Sequence, residues 1–298
     1  MVVLTAQTAA VNTFQALVMG LVFAALGLGF NIVYRVSKSI NLAHPTLVLL
    51  AAYTALVVST RLGAGMAVAV AAAAAVGAAA GAALEVLIAR PLRGRPPIAL
   101  IAATLGAYYV FKALAKMIAG DMWTTASLPL PTFTARFGPV VVDASDLLAL
   151  GLAGGLVAAV AALHRYTRLG VAMRAVAEDP YGAAAYGLPV RMLTMLSWAI
   201  AGAAGGVAAV ALAAKTGVEP SLEVYVIEAL AASLLAGLDS IAGIVLGGLV
   251  LGLVYQYSNF LLGTILPGFG EAAAFTLMLF VLLVKPYGIF GTERIERV

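Results

Sequence analysis

The sequence of 298 residues contains no cysteine and few charged residues. The absence of cysteine excludes disulfides, thiolate nucleophiles and cysteine-ligated metal sites. Asp, Glu, Lys and Arg make up only 10% of the chain, whereas soluble domains carry about 25%. This is too little charge to cover a water-exposed globular surface. Together with a hydrophobic content of 63%, it indicates an integral membrane protein.

Further absences narrow the classes of function. No Lys or Arg precedes Arg35, so the positive start of a signal peptide is missing and we expect the first apolar run to be a retained span. No Gly-Lys pair occurs, which excludes the G-x-x-x-x-G-K-(S/T) phosphate loop, so any ATP hydrolysis requires another polypeptide. The two histidines are far apart and have no carboxylate pair beside them, so we predict no metal site, general-base pair or cofactor. The net charge of +4 lies in polar segments and does not indicate a nucleic-acid partner.

Apolar runs close to the length of a membrane helix, about 20 residues, recur along the chain. They are 14–34, 43–60, 64–89, 97–119, 145–164, 192–214, 224–238, 241–262 and 270–284. We predict an all-α polytopic membrane protein in which residues 1–298 form a single transmembrane domain with eight or nine transmembrane helices. Both counts stay open because run 224–238 is short and contains Glu228, so a broken or re-entrant segment is an alternative to a ninth span.

The basic residues fall into two groups that predict the orientation, because cytoplasmic loops carry an excess of Lys and Arg. The group that we expect in the cytoplasm is Arg35, Lys38, Arg90, Arg93, Arg95, Arg165, Arg168, Arg174, Arg191, Lys285, Arg294 and Arg297. The group that we expect outside is Arg61, Lys112, Lys116, Arg136 and Lys215. Nine crossings, with the N-terminus outside and the C-terminus in the cytoplasm, fit both groups. Residues 120–144 then form the largest outer loop.

Glycine is abundant, with 31 residues, and recurs at a spacing of four. GAAAG at 77–81, GIVLG at 243–247 and GLVLG at 248–252 are small-xxx-small patterns. This spacing lets helix backbones approach closely in lipid. These patterns have two possible interpretations, helix packing within the chain and an interface between two chains of a dimer.

A polar segment, GVAMRAVAEDPYGAAAYG at 170–187, interrupts the apolar sequence. Asp179 and Pro180 predict a helix break, with Asp179 capping a second short helix and Pro180 at its first position. Gly187 fits the end of that helix. Arg174 and Glu178 are four residues apart, which predicts an ion pair. Physical reasoning alone leaves two interpretations open, a docking element for another protein and an interfacial loop.

The same segment resembles the cytoplasmic EAA-type loop of ABC importer permeases. More narrowly, it is similar to the branched-chain amino acid, or LIV-type, permease family, whose loop runs G-x-A-M-R-A-x-x-(E/Q)-(D/N), then alanine, then glycine. The matching residues are Gly170, Ala172, Met173, Arg174, Ala175, Glu178, Asp179, Ala184 and Gly187. Four other stretches resemble family motifs in the same order: INLAHPTLVLLAAY at 40–53, ARPLRGRPP at 89–97, LLAGLDSIAGIVLGGLVLG at 234–252 and KPYGIFG at 285–291.

The resemblance implies an ABC importer permease that works by alternating access in the bacterial inner membrane. Its implied solutes are branched-chain or similar small amino acids. The implied partners are cytoplasmic ATP-binding subunits, a second permease subunit in a homo- or heterodimer, an extracytoplasmic solute-binding protein and membrane lipid. The loop at 165–191 would couple to the ATPases through Met173, Arg174, Ala175, Glu178, Asp179, Ala184 and Gly187.

Four positions depart from the family pattern: Pro45 stands in place of Gly, Glu228 in place of Lys, Asp239 in place of Gly and Ala242 in place of Pro. They keep open a related importer for urea, short amides or another polar solute. An autonomous secondary transporter is a further alternative. An ionisable group inside a span is costly and is a functional candidate by default. The candidate residues of the solute pathway are Asn41, His44, Glu228, Asp239 and Ser240.

Overall fold

The computed structural model describes residues 5–285 and 287–291. In this part of the chain there are eleven α-helices, and their bounds are α1 (Ala6–Ser37), α2 (His44–Thr60), α3 (Met66–Leu84), α4 (Pro97–Ala119), α5 (Ala144–Tyr166), α6 (Arg168–Glu178), α7 (Pro180–Ala185), α8 (Val190–Thr216), α9 (Leu222–Ala236), α10 (Gly243–Leu262) and α11 (Phe269–Val284). A π-helical turn, Glu85–Ala89, continues α3, and a 3-10 turn, Gly120–Met122, follows α4. The two strands are β1 (Thr134–Phe137) and β2 (Val140–Asp143).

Each of the nine predicted apolar runs falls on a helix, so the predicted helix positions are confirmed. Six helical segments are long and apolar enough to cross a membrane: Ala6–Ser37, Met66–Ala89, Ile98–Met122, Ala144–Tyr166, Val190–Thr216 and Gly243–Leu262. The shorter helices α2 and α11 are also apolar, with 17 and 16 residues. The chain is therefore mostly helical with at least six candidate spans in its described part, and the count of eight or nine crossings stays a prediction.

Local sequence explains where the helices begin. At α1, Thr5 Oγ1 accepts a hydrogen bond from the Thr8 N–H at 3.2 Å, and the Thr5 N–H donates to Thr8 Oγ1 at 2.9 Å. At α5, the Asp146 N–H donates to Asp143 Oδ1 at 2.8 Å and the Asp143 N–H donates to Asp146 Oδ2 at 3.1 Å. These reciprocal bonds satisfy N–H groups that have no partner within the helix. In α2 the ring of Pro45 lies in the first turn, where its missing N–H costs nothing.

The Asp143 carboxyl is held in its ionised form by the same contacts. Partial burial raises its pKa, but hydrogen bonds from Ser145 and from the Asp146 N–H, together with the charge of Lys215, outweigh the burial. The pKa of Asp143 therefore lies below its ordinary value.

The bundle is built around α1, which is buried over most of its length. Glycines bring its neighbours into backbone contact. A Cβ placed on Gly20 would lie 2.8 Å from the Leu249 Cα of α10, and one on Gly248 would lie 2.5 Å from the Gly20 carbonyl oxygen. Likewise, a Cβ on Gly77 of α3 would overlap the carbonyl oxygen of Gly202 in α8. These small-xxx-small residues contact helices of the same chain, which favours packing over a dimer interface.

The predicted outer loop, 120–144, contains structure that the sequence did not indicate. Strands β1 and β2 pair antiparallel as a hairpin, with Phe137 opposite Val140. Ala126 forms a separate bridge with Val218, which follows α8. The all-α prediction holds for the bundle, and this small hairpin is the exception within the described residues.

Contacts between helix ends define two ends of the bundle. At the Arg61 end, ion pairs join Arg61 to Asp121, Lys112 to Glu223 and Lys215 to Asp146. At the opposite end, the Arg35 end, Arg93 Nη2 donates to Glu85 Oε1 at 2.5 Å and Arg90 Nη2 donates to the Arg191 carbonyl at 3.4 Å. Arg35 there lies close enough to Arg174 and Asp239 to interact with their charges.

Helix α9 runs from one end of the bundle to the other. Its first turn contains Glu223, whose Oε1 accepts from Lys112 Nζ at 2.6 Å at the Arg61 end. Directly after its last turn, the Gly237 carbonyl accepts from Asn31 Nδ2 at 3.2 Å, near the Arg35 end. Fifteen residues of helix extend about 22 Å. The helix therefore reaches from one end of the bundle to the other and does not return to the end at which it begins.

Candidate functional site

The α6–α7 element, residues Arg168–Ala185, has the two-helix geometry that the sequence indicated. Thr167 Oγ1 accepts from the Gly170 N–H at 3.0 Å and starts α6. Asp179 Oδ1 accepts from the Tyr181 N–H at 3.0 Å, and Pro180 stands at the first position of α7. Gly187 has a φ of +79°, which glycine adopts without strain, and its N–H donates to the Ala184 carbonyl at 2.9 Å.

One face of the α6–α7 element rests on the bundle. Met173, Val176 and Ala183 are buried together with Leu193 of α8 in a small apolar cluster of their own. Gly170 packs against α5 so closely that a Cβ there would overlap the Leu163 carbonyl oxygen. The element is therefore held by side-chain packing along one face and by backbone contact at its start.

The opposite face is exposed and contains two tyrosines. Tyr181 is 90% exposed and Tyr186 is 91% exposed. Between them, the small side chains of Ala184 and Ala185 are exposed. Exposed aromatic side chains of this kind are enriched at protein interfaces. Sequence reasoning missed both tyrosines, although aromatic residues inside a polar, alanine-rich segment were the signal.

The predicted coupling residues divide between the two faces. Met173 is 3% exposed and packs inside the element, so it positions the surface rather than forming it. Arg174 and Ala175 are half-buried. The exposed members of the set are Glu178, Asp179, Ala184 and Gly187.

Arg174 has a different electrostatic neighbourhood from the one predicted. The ion pairs in the described part of the chain do not include Arg174–Glu178. Instead, Arg174, Glu178 and Asp239 all act on the guanidinium of Arg35. This cluster of charges links α6 to the end of α1 and to the connection between α9 and α10.

His44 and Asn41 lie together at the start of α2, in a closely packed region. His44 is 1% exposed, its Nε2 lies 3.2 Å from the Leu26 carbonyl oxygen, and its ring meets Phe30 edge to face at 4.7 Å. A Cβ on Gly29 would overlap the His44 ring. Asn41 Oδ1 accepts from the Ala43 N–H at 3.0 Å. Both side chains therefore have structural partners.

Asp239 and Ser240 lie in the connection between α9 and α10, where Asn31 of α1 joins them. Asn31 Nδ2 donates to the Ser240 carbonyl at 3.0 Å as well as to the Gly237 carbonyl at 3.2 Å. Ser240 Oγ accepts from the Gly243 N–H at 3.0 Å, at the start of α10. Asn31 is fully buried and was missed, although an asparagine within an apolar stretch of a helix is a detectable signal.

Glu228, which lies within α9, differs from Asn41, His44 and Ser240 in that its side chain has no hydrogen-bond partner among the described residues. It is 0% exposed, and neither carboxylate oxygen has a hydrogen-bond partner among the described residues. Glu271 of α11 is its electrostatic neighbour. Tyr225 and Tyr255, whose ring centroids are 6.3 Å apart, also interact with these two carboxyl groups. A buried carboxyl group without a hydrogen-bond partner is unfavourable. Contacts within the described part of the chain therefore give no structural reason for a carboxyl group at position 228.

A family model described as "Branched-chain amino acid transport system / permease component" matches residues 12–284. The chain belongs to this family. It is therefore an integral membrane transport subunit, a permease and not an enzyme.

Individual relatives agree over nearly the whole chain. The high-affinity branched-chain amino acid transport system permease protein BraD of Pseudomonas aeruginosa is 29% identical over 299 residues, which cover 95% of this chain and 96% of the relative. The corresponding LivH protein of Escherichia coli K12 is 27% identical over 308 residues, covering 96% of each. A probable LivH of Methanocaldococcus jannaschii is 33% identical over 132 residues, 43% of this chain and 42% of the relative.

A solved structure has a similar fold. PsaBC from Streptococcus pneumoniae, in complex with a Fab, matches with a TM-score of 0.50 and 16% identity over 93% of this chain and 92% of that chain. At this identity the similarity concerns the fold alone.

Proposed function

We propose that the chain is the membrane-spanning permease subunit of an ATP-driven importer for branched-chain or similar small amino acids. The family match over residues 12–284 is the observation that carries this proposal. Two relatives that cover at least 95% of the chain are named as permeases for branched-chain amino acids. The same membership favours a subunit of a larger machine over an autonomous secondary transporter.

The architecture that we infer has nine crossings and belongs to the ABC importer permeases. The course of α9 supports nine rather than eight, because its two ends contact opposite ends of the bundle. Lys112 and Lys215, both in the smaller basic group, form ion pairs at the Arg61 end. Arg35, Arg90 and Arg93 of the larger group lie at the opposite end.

This division supports a bacterial inner-membrane protein with its Arg35 end, and hence its C-terminus, in the cytoplasm. The described part of the chain stops short of Arg294 and Arg297. Residues 120–144 then face the extracytoplasmic side. They would meet a solute-binding protein that delivers the solute.

The α6–α7 element is the proposed coupling loop, within residues 165–191. Its exposed face offers Tyr181, Tyr186 and the small side chains of exposed alanines to a groove on the ATP-binding subunits. Its buried face transmits movement, because Met173 and Val176 pack on the bundle. Movement of the docked ATPases would therefore move the ends of α5 and α8. The ATPases drive alternating access by binding one permease conformation more tightly than the other.

The pathway candidates have different proposed roles. Asn41 and His44 hold the broken start of α2 against α1. Asp239 and Ser240 form the connection at the cytoplasmic end of α9, beside Arg35. Glu228 is the residue that we expect to act on the solute, since a charged or hydrogen-bonding group of the solute would supply the partner that the chain does not.

Glu228 also supports the second candidate function, the same machine carrying urea, a short amide or another polar solute. It stands where the resembling family has Lys, and it is fully buried without a hydrogen-bond partner among the described residues. Amide N–H groups are suitable donors to such a carboxyl group. In either case the assembly contains a second permease subunit, identical or related, and the membrane lipid around it.

Uptake in cells tests the proposal. The chain is expressed with its cognate ATPase and binding-protein subunits in a host that lacks leucine uptake, and labelled leucine and urea are compared. We expect leucine uptake that stops on ATP depletion and persists when an uncoupler collapses the proton gradient. Uptake of urea without leucine would favour the second candidate. Uptake without the ATPase subunits, driven by the ion gradient, would overturn the proposal.

A further inference from the structure

A segment of the outer loop, residues 121–126, runs from the end of α2 to the connection that follows α8. Trp123 of this segment stacks on Tyr53 of α2, with ring centroids 4.9 Å apart and an angle of 22° between the rings. Tyr53 lies in the second half of α2 and is 0% exposed. Trp123 therefore covers the ring of Tyr53 at the Arg61 end of the bundle.

Helix α2, beneath this segment, runs through the interior of the bundle. It packs against α3, α4, α8 and α9, and 13 of its 17 residues are buried. The pathway candidates Asn41 and His44 lie at its start, beside α1. A solute that reaches these two residues along α2 from the Arg61 end would have to pass Tyr53 first.

Polar contacts join the far end of the segment to the connection between α8 and α9. The Ala126 N–H donates to the Val218 carbonyl at 2.9 Å, and the Val218 N–H donates to the Ala126 carbonyl at 2.7 Å. Thr125 Oγ1 donates to Glu219 Oε2 at 3.1 Å. The bridge between Ala126 and Val218 is isolated and lies outside β1 and β2. It can therefore break without disrupting the hairpin.

The start of the segment has the features of a hinge. Gly120 has a φ of +59°, which glycine adopts without strain. Asp121 pairs with Arg61, and because both side chains are exposed, water competes with this ion pair. Each of residues 121–127 is exposed or half-buried. The segment thus buries less of its surface than α2 does, which is typical of segments that open locally.

The hydroxyl group of Tyr53 is the buried polar group that this segment covers. It has no hydrogen-bond partner in the described part of the chain, although the charge of Glu219 acts on it. Native proteins rarely leave a buried hydroxyl unpaired. When the segment moves away, water or a polar solute can reach this hydroxyl and form the hydrogen bond that is missing in the closed arrangement.

We propose that the solute enters the bundle beside Tyr53, and that residues 121–126 form an outer lid that must lift from α2 to admit it. The lid turns at Gly120, the stack of Trp123 on Tyr53 opens, and the bridge between Ala126 and Val218 breaks. Lids that open and close in every cycle are held by reversible contacts of this kind. The inference rests on the proposed function, because it takes the Arg61 end as the side from which the solute arrives.

A reversible disulfide tests whether the outer lid must open. The chain contains no cysteine, so Ala126→Cys combined with Val218→Cys allows one disulfide within the chain. Facing residues that exchange both backbone hydrogen bonds lie about 5.5 Å apart at Cα, a separation that a disulfide spans. Uptake of labelled leucine and urea is measured before oxidation, after oxidation and after reduction. We expect oxidation to lower uptake by roughly tenfold or more, because a locked lid blocks every transport cycle, and reduction to restore it.

The matched control is Ala135→Cys combined with Val142→Cys. These two residues face each other in the β1–β2 hairpin, so a disulfide there leaves the outer lid free and uptake should not change on oxidation. Full uptake by the oxidised lid variant would overturn the proposal, and so would an equal loss in the control. Absence of uptake in the unmodified chain would instead contradict the importer proposal, so the two failures are distinguishable.

Thiol labelling tests the outer lid without transport, on the purified chain in detergent. Leu56→Cys places a thiol on α2 at a position that is 0% exposed, close to Tyr53 in sequence, and a water-soluble maleimide reports its accessibility. Adding Trp123→Ala removes the stack and should raise the labelling rate by roughly tenfold, since local opening becomes easier. Phe133→Ala, which truncates an exposed aromatic residue of the same loop, should leave the rate unchanged. A rate that Trp123→Ala does not raise, or that both changes raise equally, would contradict the assignment of the lid.

Discussion

Helices α3 and α8 meet backbone to backbone, whereas the α6–α7 element rests on the bundle mainly through apolar side chains. Where α3 and α8 meet, a Cβ on Gly77, Gly202 or Gly206 would overlap a carbonyl oxygen of the facing helix. In the α6–α7 element, Met173 and Val176 fill the contact instead. In lipid, apolar side chains gain little from leaving their surroundings, so close packing has to supply the stability. Next to water, burial of a few apolar side chains is sufficient.

The largest effect is expected from Gly202→Ala. The added methyl group would overlap the Gly77 carbonyl oxygen, and two packed helix backbones cannot both move aside. We expect a loss of about 3 kcal/mol in unfolding free energy, measured by thermal or denaturant unfolding in detergent. Gly155→Ala in α5 is the matched control, since nothing lies within 4 Å of a Cβ there. It should instead stabilise the helix by about 0.5–1 kcal/mol. Equal effects at the two positions would contradict the backbone-contact account.

Met173→Ala tests the contact at the α6–α7 element. Met173 is 3% exposed, and its truncation removes burial and leaves a cavity, at a cost of about 2 kcal/mol. We expect the loss to be local, with faster proteolysis within residues 168–187 and a nearly unchanged unfolding temperature of the bundle. Val171→Ala, at a position 52% exposed in the same helix, should leave the cleavage rate unchanged. If both variants are cleaved at the same rate, the buried face does not hold the element.

Two fully buried carboxylates allow a comparison between a structural and a functional charge. Glu85 accepts from Arg93 at 2.5 Å, while Glu228 has no partner for either oxygen among the described residues. Glu85→Gln should cost about 1–2 kcal/mol in unfolding free energy, because the arginines are partly exposed and their loss of charge compensation is screened. Glu228→Gln should cost nothing or stabilise slightly. A costly Glu228→Gln would mean that the carboxylate has a structural partner.

The same pair of variants separates stability from transport. Uptake of labelled solute by Glu228→Gln should change in its apparent affinity or its preference between leucine and urea. Glu85→Gln should reduce uptake only in proportion to the amount of folded protein. Unchanged uptake and unchanged preference in Glu228→Gln would remove this residue from the proposed pathway.

The smallest effect is expected from Asp179→Ala. This change removes the acceptor for the Tyr181 N–H at the start of α7 and should cost about 1 kcal/mol of local stability. Amide hydrogen exchange at residues 181–185 is the measurement, since Pro180 has no N–H. Asp179→Asn keeps an acceptor oxygen and should retain the protection. Loss of protection in both variants would indicate that the charge, and not the cap, stabilises α7.

The sequence predicted helices well because their signals are local. Nine apolar runs coincide with helices, and the break at Asp179 and Pro180 follows from backbone chemistry that neighbouring residues determine. The direction of α9 was not predictable, because it depends on which distant residues its two ends contact. Lys112 and Asn31, which are far from it in sequence, provide that information.

The sequence predicted where the α6–α7 element lies and how it is divided into two helices, but it did not predict which of its side chains are buried or which charges they meet. The position of the α6–α7 element follows from its motif, but the burial of Met173 and the exposure of Tyr186 depend on how α6 lies against α8. The expected Arg174–Glu178 pair used helix spacing alone and could not include Arg35, which approaches from α1. The spacing of residues within one helix does not predict which charged side chains of another helix lie beside them.

Co-purification of ATPase subunits with the tagged chain from native membranes tests the central claim most directly. Tyr181→Ala and Tyr186→Ala remove the exposed aromatic side chains of the α6–α7 element. Tyr109→Ala removes a tyrosine that is 66% exposed on α4 and serves as the control. The account predicts that ATPases co-purify with the unmodified chain and with Tyr109→Ala, and that they are largely lost from the other two variants. Recovery of the unmodified chain in mild detergent without any ATPase would contradict it.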